Sequence, residues 1–155
     1  AAAQPNITSL HSSITMMKQT KVTLSESDCN SLNSTAVTLV AAAGANQIII
    51  PVSVVLLITR DGSTAQSNSS CDLFISWDGQ TTLGKEIGYV RRFMYNESGS
   101  RTYVFNPVGG YGVESGQSAT AGENVALTIA VDSAVTSGSI DSIVAYTTYY
   151  VIDNS

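Results

Sequence analysis

Charged residues are scarce in this sequence, where they make up 12% of the 155 positions. Seven are Lys or Arg and twelve are Asp or Glu, so the formal net charge at pH 7 is −5. A nucleic-acid-binding protein needs clustered positive charge to displace the counterions of phosphates. We therefore expect no nucleic-acid partner. The surface must be polar mainly through Ser and Thr, which form about a quarter of the chain.

Histidine is nearly absent, because His11 is the only one and lies in a polar N-terminal stretch. A Ser-His-Asp site would need its base on that stretch, and chain termini are poorly ordered unless something holds them. The spacing of Glu86, Glu97, Glu114 and Glu123 brings no two carboxylates into one cleft. We expect no enzymatic activity, no cofactor, no metal site and no small-molecule substrate.

Cysteine and long apolar segments are also limited. Cys29 and Cys71 show no metal-ligand spacing and allow one pair at most, so a disulfide and two separate thiols both remain open. The most apolar run, from Ile48 to Leu57, contains Pro51 and is shorter than the roughly 20 residues of a membrane-spanning helix. We expect no membrane partner.

Helical periodicity is missing, whereas β-branched and aromatic residues recur in short runs separated by Gly, Asn, Asp and Ser. About eight strands are predicted, at 20–24, 35–42, 47–59, 71–77, 102–106, 125–131 and 142–152, with 86–95 fitting either a strand or a short helix. This spacing favours an all-β, two-sheet antiparallel sandwich, with a jelly roll as the preferred form. Residues 1–19 are interpreted as an extended N-terminal arm and 20–155 as the sandwich domain.

The turn sequence AGAN contains Gly44 and Asn46, both of which tolerate positive φ. It separates the predicted strands 35–42 and 47–59. The sequence therefore predicts that these two strands pair as a hairpin.

Two predicted strands, 47–59 and 142–152, carry apolar residues on both faces. Alternation puts Ile48, Ile50, Val52, Val54, Leu56 and Ile58 on one side of the first of them, with Ile49, Pro51, Val55 and Leu57 mostly on the other. A two-layer sandwich covers one face only, and Pro51 predicts an edge or a bulge. Large exposed apolar patches are rare on soluble monomers, so we predict a homo-oligomer. The predicted interface residues are Ile49, Val55, Leu57, Tyr146, Tyr149 and Tyr150.

Aromatic residues allow a second kind of contact. Trp77 precedes a DG turn, where it can stack on a sugar ring together with Tyr103 and Tyr111. Packing in the core or at its rim is the other interpretation of Trp77, because burial of an aromatic side chain is strongly favourable.

Residues 32–58, LNSTAVTLVAAAGANQIIIPVSVVLLI, resemble a segment of small virion proteins of tailed bacteriophages. In that group, a leucine and small polar residues precede a Pro-Val-x-Leu-Val-x-Ala-Pro-Gly-x-Gly segment that leads into an Ile/Val-rich strand. The segments GENVALTIAV and IVAYTTYYVI are similar to the glycine-led strand and the tyrosine-centred terminal strand of the same proteins. Ala36 and Ala43 stand where these sequences often carry proline, and Asn46 where glycine is common.

The resemblance implies a β-sandwich or jelly-roll structural protein that decorates or cements a capsid. Such a protein is expected to form a homotrimer, to contact the major capsid protein, and to lie on the outer capsid surface of the virion. The acidic balance suits an outer surface better than one facing packaged DNA. Other proteins of this kind belong to tails, so a tail fibre or spike module that binds host-surface glycan is the alternative.

Overall fold

A computed structural model describes residues 17–60, 62, 64–77, 86–106 and 124–153. These residues form eight strands and one helix: β1 (Lys18–Ser25), α1 (Glu26–Ser31), β2 (Val37–Val40), β3 (Gln47–Thr59), β4 (Leu73–Trp77), β5 (Glu86–Val90), β6 (Arg101–Phe105), β7 (Leu127–Val131) and β8 (Ser142–Asp153). Residues 1–16 of the predicted arm lie outside the described residues, and its last two residues begin β1.

The strands form two four-stranded antiparallel sheets. The first sheet has the order β1-β8-β3-β6 and the second sheet the order β2-β7-β4-β5. Every connection except that between β4 and β5 passes from one sheet to the other, which is the strand order of a jelly roll. The predicted all-β sandwich is therefore confirmed.

The predicted hairpin between 35–42 and 47–59 is wrong. β2 pairs with β7, whereas β3 pairs with β8 and β6, so the segment between β2 and β3 crosses from one sheet to the other. Gly44 and Asn46 do adopt positive φ, as the turn sequence predicts. The partner of β3 is decided by length and burial, because β8 pairs with 12 of the 13 residues of β3, whereas β2 has only four residues.

Helix α1 is six residues long, too short to show periodicity in the sequence. Its N-terminus is a capping box: the Asp28 N–H donates to Ser25 Oγ at 3.3 Å, and the Ser25 N–H donates to Asp28 Oδ2 at 2.8 Å. The side-chain and backbone bonds from Ser25 lower the pKa of Asp28. Cys29 fixes the helix to the core with a fully buried side chain.

The core lies between the two sheets and includes both cysteines. Its largest inward side chains include Leu24, Leu56, Ile58, Leu73, Ile75 and Leu127, none more than 2% exposed. Cys29 and Cys71 are free thiols. Burial raises the pKa of each to about 12. Both thiols are therefore protonated and unreactive at neutral pH.

Strand β3 changes phase at the bulge that Pro51 predicts. Its register with β8 shifts between Pro51 and Ser53. A bulge inserts one extra residue into the strand. Odd-numbered residues such as Ile49 therefore point inward before the bulge, and even-numbered residues such as Val54 point inward after it. A single alternation through the whole strand predicts the opposite side for Ile49, and this prediction is wrong because of the bulge.

Gly88 in β5 makes room for Phe105, which comes from the first sheet. A Cβ at Gly88 would lie 2.7 Å from Phe105 Cδ1 and 3.3 Å from the Cβ of Ile75. We expect Gly88→Ala to lower the free energy of unfolding by about 1–3 kcal/mol, because the added carbon overpacks the core. Gly99→Ala is the matched control, since nothing lies within 4 Å of its added Cβ. Urea unfolding compares the two variants, and equal midpoints would contradict the prediction.

Candidate interaction surface

The first sheet has a side directed away from the second sheet, and its two central strands fill that side with apolar residues. Outward residues of β3 and β8 alternate with core residues and pair across the ladder. These pairs are Ile48 with Ile152, Ile50 with Tyr150, Val55 with Tyr146, and Leu57 with Val144. Val104 of β6 extends the row beside Val55. We call these nine residues the outer face.

The outer face is open to solvent in the single chain. Val104 is 59% exposed, Leu57 39% and Ile50 37%, and the other six residues are half-buried. Leu56, the inward neighbour of Leu57 on the same strand, is fully buried. The exposure therefore reflects the side of the sheet and not the end of a strand. Met17, directly before β1, adds a further exposed apolar side chain at 58%.

A polar row crosses the outer face at the bulge. Ser53 pairs with Thr148, and Gln19 of β1 lies on the other side of Thr148. This row separates two apolar groups. One consists of Ile48, Ile50, Tyr150 and Ile152, and the other of Val55, Leu57, Val104, Val144 and Tyr146.

Charge is almost absent from this side of the first sheet. Lys21 of β1 lies opposite Tyr146, and its Nζ is 5.7 Å from the centroid of the Tyr146 ring. It is the one charged side chain at an outward strand position in the described part of this sheet, and no carboxylate occupies such a position. An exposed cation–π contact of this kind contributes about 0.5–1 kcal/mol. The outer face is therefore apolar with a single cation at its β1 margin.

The two central strands on the corresponding side of the second sheet, β4 and β7, are covered. Phe74 and Ala130 pair there, and they are 1% and 2% exposed. The Phe74 ring packs on Tyr89 with 5.2 Å between ring centroids, and Thr128 Oγ1 donates to the Ser76 carbonyl at 3.0 Å. In the described part of the chain, the central strands are therefore open on the outward side of the first sheet and closed on that of the second, where Thr38 at the β2 margin stays exposed.

The structure divides the six predicted interface residues into two sets. Four lie on the outer face: Val55, Leu57, Tyr146 and Tyr150. Ile49 is 1% exposed in the core, and Tyr149 packs against the core from the same inward side. Both side chains are directed inward, Ile49 buried and Tyr149 half-buried, so neither belongs to the outer face, and the interface itself stays a prediction.

Sequence reasoning missed five of the nine residues of the outer face. Val104 is its most exposed member, but one side chain on a five-residue strand gives no alternating signal. Ile48 was assigned to the opposite side from Leu57 because the bulge lies between them. Val144 and Ile152 could have been found from the same alternation that identifies Tyr146 and Tyr150.

Two of the three residues considered for glycan contact, Trp77 and Tyr103, are directed inward. Tyr103 faces inward on β6, and its ring centroid lies 6.0 Å from that of Phe93. Trp77 ends β4 opposite Leu127, which is a core residue, so its register is also inward. Tyr111 lies outside the described residues.

No group of three or more His, Cys, Asp or Glu side chains that could hold a metal ion occurs in the described residues. Glu97 forms an ion pair with Arg101, while His11, Glu114 and Glu123 lie outside that part of the chain. No helix in the described part of the chain has the length and apolar character needed to cross a membrane.

No protein-family model matches this chain, and no curated protein matches it. Among solved structures, the chain is similar to a chain of the acidic stable capsid structure of the Helicobacter pylori bacteriophage KHP30. The TM-score is 0.48 and the sequence identity 14%, over 90% of this chain and 93% of that chain. A likeness at this level establishes neither a shared family nor a shared function.

Proposed function

We propose that this chain is a capsid decoration, or cement, protein of a tailed-phage virion. It self-associates, binds the major capsid protein on the outer surface of the shell, and stabilises the shell without catalysing a reaction. The observation that carries the proposal is the outer face, which is apolar and open although the central strands of the second sheet are covered on the equivalent side. The resemblance of residues 32–58 to small virion proteins supplies the biological setting.

An open apolar face of this kind favours association. Removing apolar surface from water contributes about 25 cal/mol per Å², so each ~100 Å² that a partner covers contributes about 2.5 kcal/mol before the costs of association. Soluble monomers rarely retain a large contiguous patch of this type. The geometry therefore supports a function based on binding.

The effect on a capsid is thermodynamic. A protein that binds the assembled shell and not its free subunits stabilises the shell by mass action. Linked copies that bind neighbouring subunits together gain further from their high effective concentration. Jelly rolls serve as viral capsid domains and as lectin domains, so the strand order alone does not choose between them.

The test uses virions that contain this chain. Cryo-electron microscopy should show it on the outer surface of the head, in contact with more than one major capsid subunit. Heads stripped of it should release DNA at a lower temperature, and adding back the purified chain should restore the original release temperature. Its location in the tail alone, or heads of unchanged thermal stability, would contradict the proposal.

A further inference from the structure

We infer that the outer face is covered by the same face of a second copy of this chain, in a two-fold contact. The inference deepens the proposed function by naming the partner of its candidate surface. It is nevertheless testable in solution, without the virion.

The size of the first sheet fits such a contact. Its strands have 8, 12, 13 and 5 residues in the order β1, β8, β3 and β6. With a rise of about 3.3 Å per residue and about 4.8 Å between strands, the sheet projects to roughly 600 Å². Side-chain relief increases the accessible area beyond this projection. The result is close to the ~800 Å² that each partner contributes to a standard interface.

The shape of a sheet favours a pair of copies. Two sheets with the same twist pack face to face with their strands within about 30° of each other, as in any β-sandwich. One sheet face is therefore covered over its whole area by one other. Three such faces around a three-fold axis would meet only along their margins, which leaves their centres open. The geometry thus points to a pair and departs from the homotrimer that the resemblance implies.

The charge distribution is compatible with pairing to an identical face. A two-fold axis parallel to the strands lays β1 of each copy over β6 of the other. Lys21 then lies over Val104 and Thr102, while the two copies of Lys21 are on opposite margins of the interface. The lysine stem can pack on the apolar surface while its ammonium stays in water. No carboxylate is brought against the contact from outward strand positions, although the chain as a whole carries a net charge of −5.

Sedimentation equilibrium of the full chain at micromolar concentrations tests the contact. We expect the wild-type protein to have twice the mass of one chain. Leu57→Glu and Ile50→Glu should each have the mass of one chain, because an unpaired carboxylate buried in the contact raises the dissociation constant at least about 100-fold. Thr38→Glu is the matched control: Thr38 is an exposed strand residue of the second sheet, and this variant should keep the wild-type mass.

Circular dichroism confirms that each variant is folded, which we expect because Leu57 and Ile50 are already exposed in the single chain. Wild-type masses of one or three chains would overturn the inference, as would folded glutamate variants that keep the double mass. If a variant does not fold, the mass of the wild-type protein by itself decides whether the chain forms a pair. These outcomes are separate from those of the virion experiment: a tail location would remove the proposed function and leave a two-fold pair intact.

Discussion

The Phe93→Ala variant is expected to lose about 3–5 kcal/mol of its free energy of unfolding, the usual cost of removing a large buried aromatic ring. Phe93 is fully buried and packs on Tyr103 with 6.0 Å between ring centroids. Its N–H donates to the Cys71 carbonyl at 2.6 Å. Urea unfolding monitored by circular dichroism measures the loss.

Phe93 contributes so much because its turn is directed into the core. Arg92 and Met94, on either side of it, adopt φ values of 50° and 57°, a conformation that is uncommon for residues other than glycine. Met94 is itself only 2% exposed, so two consecutive side chains of the turn are buried. Phe93→Leu is the control, because it keeps much of the apolar volume and should cost less than half as much. A loss below about 1 kcal/mol for Phe93→Ala would show that the ring is not packed as described.

The second large effect is expected at Asp72, which holds the same turn. The Tyr89 hydroxyl donates to Asp72 Oδ2 at 2.7 Å, and the Arg92 N–H donates to Asp72 Oδ1 at 2.5 Å. Hydrogen bonds to a charged group contribute about 1.5–3 kcal/mol each, and partial exposure reduces that value. We expect Asp72→Ala to lower the free energy of unfolding by about 2–3 kcal/mol.

Tyr89→Phe is the matched comparison for Asp72→Ala, because it removes one of the two bonds and keeps the ring against Phe74. It should cost about 1 kcal/mol. The double variant should lose less than the sum of the two single losses, since both changes remove the same contact. Equal losses for Asp72→Ala and Tyr89→Phe would show that the bond to the Arg92 backbone contributes nothing.

Local sequence signals predicted the strands well. The alternation of Leu127, Ile129 and Val131 gives the inward side of β7 correctly, and all three are buried. Periodicity needs only the chain itself, so it can be read without knowing any partner. Gly44 and Asn46 are correct for the same reason, because positive φ is a local property.

The errors arise where the structure depends on which two strands pair, or on the register of that pairing. Whether β3 pairs with β2 or β8 depends on contacts between residues about 100 positions apart, which no local pattern reports. Pro51 predicts a bulge, but the side of the sheet on which Ile49 lies follows only from the register between β3 and β8. A one-residue shift in register moves every side chain to the other face of the strand. A small uncertainty in register therefore gives the wrong face for Ile49.

The candidate surface was accordingly predicted in part. Leu57 and Tyr146 were found from alternation along their strands, and the structure adds Val104 through its pairing with Val55. The covered side of the second sheet was also invisible in the sequence. Ala130 and Thr128 on that side of β7 are small or polar, the pattern of an exposed side, and yet both are buried.

The most direct test of the central claim is the solvent exposure of the outer-face methyl groups in the full chain. Methyl NMR with a soluble paramagnetic agent reads this exposure for Leu57 and Val104, with Leu56 as the buried reference. The account predicts that both are shielded almost as well as Leu56 at concentrations where the chain is paired, and that they become accessible on dilution. Methyl groups that remain fully accessible to the agent at every concentration would contradict it.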